Sequence, residues 1–213
     1  MKAYIFDLDG TLLDSLGVWK DIDIEFLEQR GVTVPDDYTD MISAMSFEQA
    51  AAYTIERFAL PDDAESVMFQ WRNMAGYAYG HTIQMKPNAK EYLSRLRSLG
   101  MRLALATSAI AEHYEAALRS HGIYDWFEVI CGTDEVGCGK TSPDIFEYTA
   151  AKLKLPPCDC VVFEDILPAI KSAKSIGMTV YGVYDKFSDN IWEEIKRVAD
   201  GVIYDFRDAP APE

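Results

Sequence analysis

Short apolar runs recur along the chain and alternate with segments whose apolar residues repeat at helical spacing. Such runs are typical of strands buried on both faces of a parallel sheet, and they are Ala3–Leu8, Leu103–Ala106, Val129–Ile130, Val161–Phe163, Val180–Val183 and Val202–Tyr204. Helical patterns lie near residues 87–99, 111–121, 143–153, 166–176 and 189–199. Because strands and helices alternate, we predict an α/β fold with a doubly wound parallel sheet.

Residues 15–82 break this alternation, since they show helical periodicity and no strand pattern. Ile22 and Phe26, for example, share one face of a predicted helix. We therefore predict two domains. Residues 1–14 and 83–213 would form the α/β core, and residues 15–82 would form an all-helical domain inserted after the first strand.

The 213 residues include 20 Lys and Arg against 35 Asp and Glu, which gives a formal net charge of −15. Such an acidic surplus argues against binding to nucleic acid or to an anionic membrane surface, because both favour basic proteins. The four cysteines are sparse and no apolar run is long enough to span a membrane. The N-terminal segment reaches an acid at Asp7 before any signal-like apolar region, so we expect a cytoplasmic protein.

The first predicted strand ends in two aspartates, Asp7 and Asp9, followed by Gly10. In an open α/β sheet, ligands bind beyond the carboxyl ends of the strands, so both carboxylates are candidates for a functional site. Two acids so close need a cation or a raised pKa, and a divalent cation with oxygen ligands is the simplest solution. A solvated strand end is the alternative interpretation of this pair taken alone.

Three further polar groups lie at predicted strand ends or at a predicted helix start. Thr107-Ser108 follows the second strand, where hydroxyl groups suit phosphate oxygens. Lys140 lies in a glycine-flanked loop before a helix predicted to have Ser142 as its N-cap and Pro143 as its first residue. An ammonium group beside a helix N-terminus favours an anion. Glu164-Asp165 is a second acidic pair at the end of a later strand.

These groups resemble the four ordered motifs of the haloacid dehalogenase superfamily. The matching segments are Asp7-Leu8-Asp9-Gly10-Thr11-Leu12-Leu13-Asp14-Ser15, Thr107-Ser108, Lys140-Thr141-Ser142-Pro143-Asp144-Ile145-Phe146 and Phe163-Glu164-Asp165. The resemblance is closest to the subgroup with phosphoglycolate-phosphatase-like and β-phosphoglucomutase-like members. It implies a Rossmann-like core, with residues 15–82 as the helical cap of that subgroup.

The resemblance implies a Mg²⁺-dependent phosphomonoester hydrolase that acts on a small phosphorylated metabolite. Asp7 would be the nucleophile that forms an aspartyl-phosphate, and Asp9 would be the general acid and base. The implied phosphate-binding residues are Thr107, Ser108 and Lys140. The implied Mg²⁺ ligands are the Asp7 carboxylate, the Asp9 backbone carbonyl and Asp165, with Glu164 in support. Such chemistry relies mainly on positioning and on cationic stabilisation of the transferred phosphoryl group.

The choice of reaction rests on a few positions. Dehalogenases and phosphonatases of the superfamily lack an acid at the position of Asp9. Its mutases tend to have Val where Thr11 stands and a cap His where Trp19 stands, and the Arg common in their caps is not apparent around residues 43–48. We therefore expect a phosphatase that is a monomer or a weak homo-oligomer, with a β-phosphoglucomutase-like sugar-phosphate mutase as the alternative.

Two sequence features limit or test the resemblance. The family usually continues after the last motif with Ser and then Gly, where this chain has Ile166 and Ala169, so the local turn is in question. Receiver domains also combine an acceptor Asp with Thr or Ser and Lys. They carry the acceptor on a middle strand, however, whereas here the acids spaced two apart lie on the first strand. An inactive binding protein with this fold is a further alternative, but it would not need every catalytic position to be occupied.

Overall fold

The computed structural model describes residues 2–35, 37–43, 45 and 47–211, except for the side chains of Asp40 and Ser43. The chain divides into two compact units. One contains Met1–Leu16 and Ile83–Glu213, and the other is Gly17–Thr82.

The first unit contains a six-stranded parallel sheet with the strand order β3-β2-β1-β4-β5-β6. The strands are β1 Ala3–Phe6, β2 Arg102–Thr107, β3 Val129–Gly132, β4 Cys160–Glu164, β5 Thr179–Val183 and β6 Gly201–Ile203. Their side chains are mostly buried on both faces, as expected for a sheet covered by helices. The order reverses at β1, which confirms the predicted doubly wound, Rossmann-like α/β fold.

Helices connect these strands and cover both faces of the sheet. They are α5 Ala89–Ser98, α6 Ala111–Ser120, α7 Asp144–Lys152, α8 Leu167–Ser175 and α9 Trp192–Val198. The register aligns Phe6 of β1 with Leu105 of β2 and with Phe163 of β4. Because the three strands are parallel and adjacent, the residues that follow them emerge at one edge of the sheet.

The start of α7 differs from the sequence prediction by one residue. The helix begins at Asp144, and its N-cap is Pro143 rather than Ser142. The Ser142 hydroxyl instead donates a hydrogen bond to the Asp144 carboxylate. Ser142 therefore does not cap the helix, because no helix N–H uses its hydroxyl as the acceptor.

The second unit is built from four helices in its described part, which are α1 Val18–Glu28, α2 Tyr38–Ser43, α3 Phe47–Phe58 and α4 Ala64–His81. Its core includes Ile22 and Phe26 from α1 and Trp71 from α4, and the rings of Phe26 and Trp71 meet edge to face with centroids 5.5 Å apart. Asp63 caps α4 by accepting a hydrogen bond from the Ser66 amide at 2.8 Å.

Within the described ranges, no helix has both the length and the apolar character needed to cross a membrane.

Candidate active site

The turn after β1 depends on a glycine beside an acid from β4. Gly10 has a φ of +77°, and a Cβ atom at this position would lie 2.3 Å from Oδ2 of Asp165. The preceding Asp7 amide donates a hydrogen bond to the Phe163 carbonyl at 3.0 Å, which joins the ends of β1 and β4. A side chain at position 10 would therefore both strain the backbone and push Asp165 away from this edge.

A buried lysine connects the two strand ends. Lys140 is 4% exposed, and its ammonium group donates hydrogen bonds to Oδ1 of Asp7 and, at 2.8 Å, to Oε2 of Glu164. The two carboxylates are themselves buried. A charged lysine in such surroundings is stable only because it is paired on both sides.

The second oxygen of Glu164 holds the turn between β4 and α8. Oε1 accepts hydrogen bonds from the backbone amides of Asp165 at 3.0 Å and Ile166 at 3.2 Å. Ile166 is the N-cap of α8 and supplies no side-chain cap. The turn that lacks the family's usual Ser is thus held by Glu164, and both oxygens of this glutamate are engaged.

Asp165 differs from Glu164 because only one of its carboxylate oxygens accepts a hydrogen bond from the described residues. Thr11 donates a hydrogen bond to Oδ1 at 3.2 Å, whereas Oδ2 is buried without a hydrogen-bond partner among the described residues. Carboxylate oxygens of Asp7, Glu164 and Asp165 lie within 4.8 Å of one another. Three carboxylates and one ammonium leave a buried excess of negative charge, so this group fits a hard divalent cation with oxygen ligands.

The pKa values of the cluster reflect the same excess of acids. Burial and the neighbouring Glu164 raise the pKa of Asp7 to about 7 despite the contact with Lys140. Burial, followed by the charges of Glu164 and Asp7, raises the pKa of Asp165 well above its ordinary value. Burial lowers the pKa of Lys140, but Asp7 and Glu164 outweigh this effect and the net shift is upward. The cluster holds more acidic than basic groups, and a bound cation would balance this excess of negative charge.

Asp9 does not belong to this group of three carboxylates, and a separate hydrogen bond holds its side chain. The Ser15 hydroxyl donates a hydrogen bond to Oδ1 of Asp9 at 2.6 Å, and Asp9 is only partly buried. Ser15 has no role in the sequence prediction. The signal that could have identified it is its place six residues after Asp9, on the other side of the Gly10 turn.

The two hydroxyl residues at the end of β2 have different surroundings. Thr107 is fully buried, and its Oγ1 accepts a hydrogen bond from the Ala109 amide at 3.0 Å, which fixes the turn. Ser108 is exposed, and it is not the N-cap of α6, because Ile110 occupies that position. Thr107 is the last residue of β2 and is buried, whereas Ser108 follows the strand and is exposed.

Ser172 of α8 is a supporting residue that the sequence prediction missed. Its buried hydroxyl donates to the backbone carbonyl of Lys140 at 2.7 Å and lies 3.0 Å from the carbonyl of Ala169. The loop that carries Lys140 is therefore attached to α8. A lone serine within a helical pattern gives no sequence signal for such a contact, because the contact depends on tertiary packing.

Comparison with known proteins agrees with this geometry. The family model for haloacid dehalogenase-like hydrolases matches residues 1–177. An Arabidopsis thaliana protein named "Bifunctional riboflavin kinase/FMN phosphatase" is 32% identical over 183 residues, which are 85% of this chain and 48% of that protein. A Drosophila melanogaster protein named "Probable pseudouridine-5'-phosphatase" is 32% identical over 187 residues, which are 85% of this chain and 80% of that protein.

A solved structure has the same fold over nearly the whole chain. The crystal structure of a candidate β-phosphoglucomutase from Thermotoga maritima superimposes with a TM-score of 0.85 at 26% identity, covering 95% of this chain and 94% of that one. The chain spans about half of the bifunctional Arabidopsis relative and most of the other two proteins.

The chain belongs to the haloacid dehalogenase-like hydrolase family, as its sequence motifs predict. Within that family it is an enzyme of the phosphatase class.

Proposed function

We propose that the protein is a Mg²⁺-dependent phosphomonoester hydrolase that acts on a small phosphorylated metabolite. The observation that carries this proposal is the buried cluster in which Lys140 contacts Asp7 while Oδ2 of Asp165 has no hydrogen-bond partner among the described residues. A phosphate ester brings negative oxygens that Lys140 can bind, and a cation at the acids completes the balance of charge.

Asp7 acts as the nucleophile in this proposal. One carboxylate oxygen attacks phosphorus, the bond between phosphorus and the ester oxygen breaks, and an aspartyl-phosphate forms. The contact with Lys140 orients the carboxylate and lowers the repulsion between two anions. Burial also limits access of bulk water to Asp7.

Asp9 is the proposed general acid and base. In the first step its carboxyl group gives a proton to the leaving alcohol. In the second step the resulting carboxylate takes a proton from the water that attacks the phosphoryl group, which releases inorganic phosphate and restores Asp7. The hydrogen bond from Ser15 orients the Asp9 carboxyl group for these proton transfers.

The remaining side chains bind and orient the phosphoryl group. Lys140 supplies a buried positive charge, and Thr107 and Ser108 offer hydroxyl donors at the end of β2. Mg²⁺ would be held by the Asp7 carboxylate, the Asp9 backbone carbonyl and Asp165, where it supplies Lewis-acid stabilisation of the phosphoryl oxygens. Glu164 supports the site by holding Lys140 and the turn.

We also propose that residues 15–82 act as a cap that selects the leaving group of the substrate. The compact helical unit Gly17–Thr82 supports this division, since a cap needs its own core in order to move as one body. A cytoplasmic setting is consistent with four cysteines that are all free thiols.

A sugar-phosphate mutase is the second candidate, favoured by the fold shared with the candidate β-phosphoglucomutase of Thermotoga maritima. Hydrolysis is preferred because Thr11 and Trp19 occupy positions where mutases tend to have Val and His. Incubation with glucose 1-phosphate isomers and a bisphosphate activator separates the two: release of inorganic phosphate supports hydrolysis, and isomerisation without release contradicts it.

The proposed activity is tested with p-nitrophenyl phosphate, Mg²⁺ and the Asp7→Asn variant. We expect kcat to fall by at least about 10⁴-fold, because the amide cannot act as the nucleophile. The matched control is Asp125→Asn, an exposed aspartate near α6, which should leave kcat unchanged. Turnover by Asp7→Asn at a rate near that of the unsubstituted protein would contradict the assignment.

A further inference from the structure

A pocket of about 180 Å³ lies within the helical unit, and none of the active-site residues assigned above lines it. Residues of all four helices and of the segment before α3 contribute to it, and they include Trp19, Asp23, Ile42, Met45, Phe47 and Trp71. An apolar cavity of about 150 Å³ is large enough for benzene, so this pocket has room for one six-membered ring.

Two buried polar groups in the lining of this pocket have no partner among the described residues. Asp23 is 6% exposed and forms no hydrogen bond or ion pair with them. Trp71 is 2% exposed, and its indole Nε1–H is without a hydrogen-bond partner in the same part of the chain. A buried N–H without a partner is rare in folded proteins, and its position beside a buried carboxylate in one pocket indicates that a ligand supplies the missing contacts.

The hydroxyl groups of Thr54 and Tyr38 are already engaged with other partners. Thr54 donates its proton to the Ala50 carbonyl at 2.6 Å, so in its 2.7 Å contact with Tyr38 the tyrosine must be the donor. The Tyr38 proton is thereby already used. The cations Arg30 and Arg57 are also engaged, with Asp62 and Asp37 respectively. Within the described part of the chain, Asp23 therefore has no hydrogen-bond or ion-pair partner.

The aromatic lining favours a positively charged partner for Asp23. The rings of Phe47 and Trp71 have centroids 5.6 Å apart, and those of Trp19 and Phe47 are 6.0 Å apart. Aromatic faces attract ammonium groups, and a buried carboxylate without a counterion attracts them more strongly. Burial raises the pKa of Asp23 to about 7, so a bound cation would restore the ionised form.

We propose that this pocket binds a compact apolar group, of the size of one six-membered ring, that carries an ammonium group for Asp23 and presents an acceptor or a π-face to the indole N–H of Trp71. The ammonium group belongs to a small amine, and this inference does not rest on the proposed phosphatase function.

The probe is benzylamine, with benzyl alcohol as a neutral molecule of nearly the same shape. Binding to the full-length, ¹⁵N-labelled protein is measured by calorimetry and by the indole N–H signal of Trp71, assigned with the Trp71→Phe variant. We expect benzylamine to shift this signal and to bind at least about tenfold more tightly than benzyl alcohol.

Two variants locate the binding. Asp23→Asn should weaken benzylamine at least about tenfold while changing benzyl alcohol little, because only the charge is lost. The matched control Asp21→Asn, an exposed aspartate of the same helix, should change neither. Ala50→Leu, which fills the pocket, should weaken both probes. Equal affinity of the two probes for the unsubstituted protein, or an unchanged preference in Asp23→Asn, would overturn the proposal.

Discussion

The two units bury carboxylates in contrasting ways. In the α/β unit, Asp7 and Glu164 share the ammonium group of Lys140, and backbone amides satisfy the second oxygen of Glu164. In the helical unit, Asp23 is buried with no counterion or donor in the described residues. The first arrangement is a preformed network of charged groups, in which Oδ2 of Asp165 has no hydrogen-bond partner among the described residues. The second is a single buried carboxyl group. The two proposals therefore assign different ligands to the buried acids of the two units.

The largest effect on stability is expected from removing the shared ammonium group. Lys140→Met should reduce kcat by about 10³-fold, since it deletes the buried charge that faces the phosphoryl group. It should also lower the free energy of unfolding by about 3–5 kcal/mol, because Asp7 and Glu164 lose their partner. Enzyme assays and urea unfolding measure the two effects.

The double variant Lys140→Met/Glu164→Gln separates these effects. It should regain part of the stability, because one uncompensated acid is gone, but none of the activity. As a control, Lys171→Met disrupts an exposed ion pair with Glu194 and should change stability by less than about 1 kcal/mol. A Lys140→Met protein as stable as the unsubstituted one would contradict the idea of a preformed charge network.

Because Oδ2 of Asp165 has no hydrogen-bond partner among the described residues, we also predict that a bound metal stabilises the protein. Mg²⁺ at about a hundred times its Kd should raise the free energy of unfolding by about 2.7 kcal/mol. Asp165→Asn should weaken Mg²⁺ binding by at least about tenfold and shrink this stabilisation, whereas Asp125→Asn should not. Chelation by EDTA should abolish activity reversibly. Equal Mg²⁺ stabilisation of the Asp165→Asn variant and the unsubstituted protein would show that Asp165 is not a ligand.

A further effect on stability concerns the isolated carboxylate and depends on pH. Burial raises the pKa of Asp23 from 3.8 to about 7, so between these values the unfolded chain ionises this group while the folded protein keeps it protonated. Stability should therefore fall as pH rises through this window, by up to about 4 kcal/mol at about 1.4 kcal/mol for each pH unit. The Asp23→Asn variant should not lose stability in this way, because it has no carboxyl group to ionise.

Thermal unfolding between about pH 4 and pH 8 tests this expectation. Asp23→Asn should match the unsubstituted protein near the lower end of this range and be more stable at the upper end, and Asp21→Asn should show no such trend. A constant difference across the pH range would mean that Asp23 is not buried as an unpaired acid. In that case the contrast between the two units would disappear.

The sequence was enough to predict that acids lie together at one edge of the sheet, because their positions depend only on where the strands end. Asp7 and Asp165 each follow an apolar run, and parallel strands of one sheet end at the same edge, so the order of residues is enough to bring the two acids together. The supporting contacts could not be predicted in this way. Ser15 reaches Asp9, and Ser172 reaches the Lys140 carbonyl, only because of the path of a turn and the packing of α8.

The pocket of the helical unit was missed although a signal was present. Asp23 falls on the same helical face as Trp19, Ile22 and Phe26, so it is an acid within an apolar stripe. Helical periodicity alone cannot tell whether such an acid is paired inside the core or turned toward solvent. In the described part of the chain, four polar neighbours of this core form contacts with residues other than Asp23, namely Tyr38, Thr54, Arg30 and Arg57.

The most direct test of the central claim is to trap the phosphoenzyme on Asp7. The Asp9→Asn variant is mixed with Mg²⁺ and an aryl phosphate whose leaving group needs no protonation, and the intact protein is weighed by mass spectrometry. We expect the mass of one added phosphoryl group, mapped by proteolysis to Asp7, and its absence in Asp7→Asn/Asp9→Asn. No added phosphoryl group in Asp9→Asn despite hydrolysis, or its attachment to another residue, would contradict the assignment of Asp7 as the nucleophile.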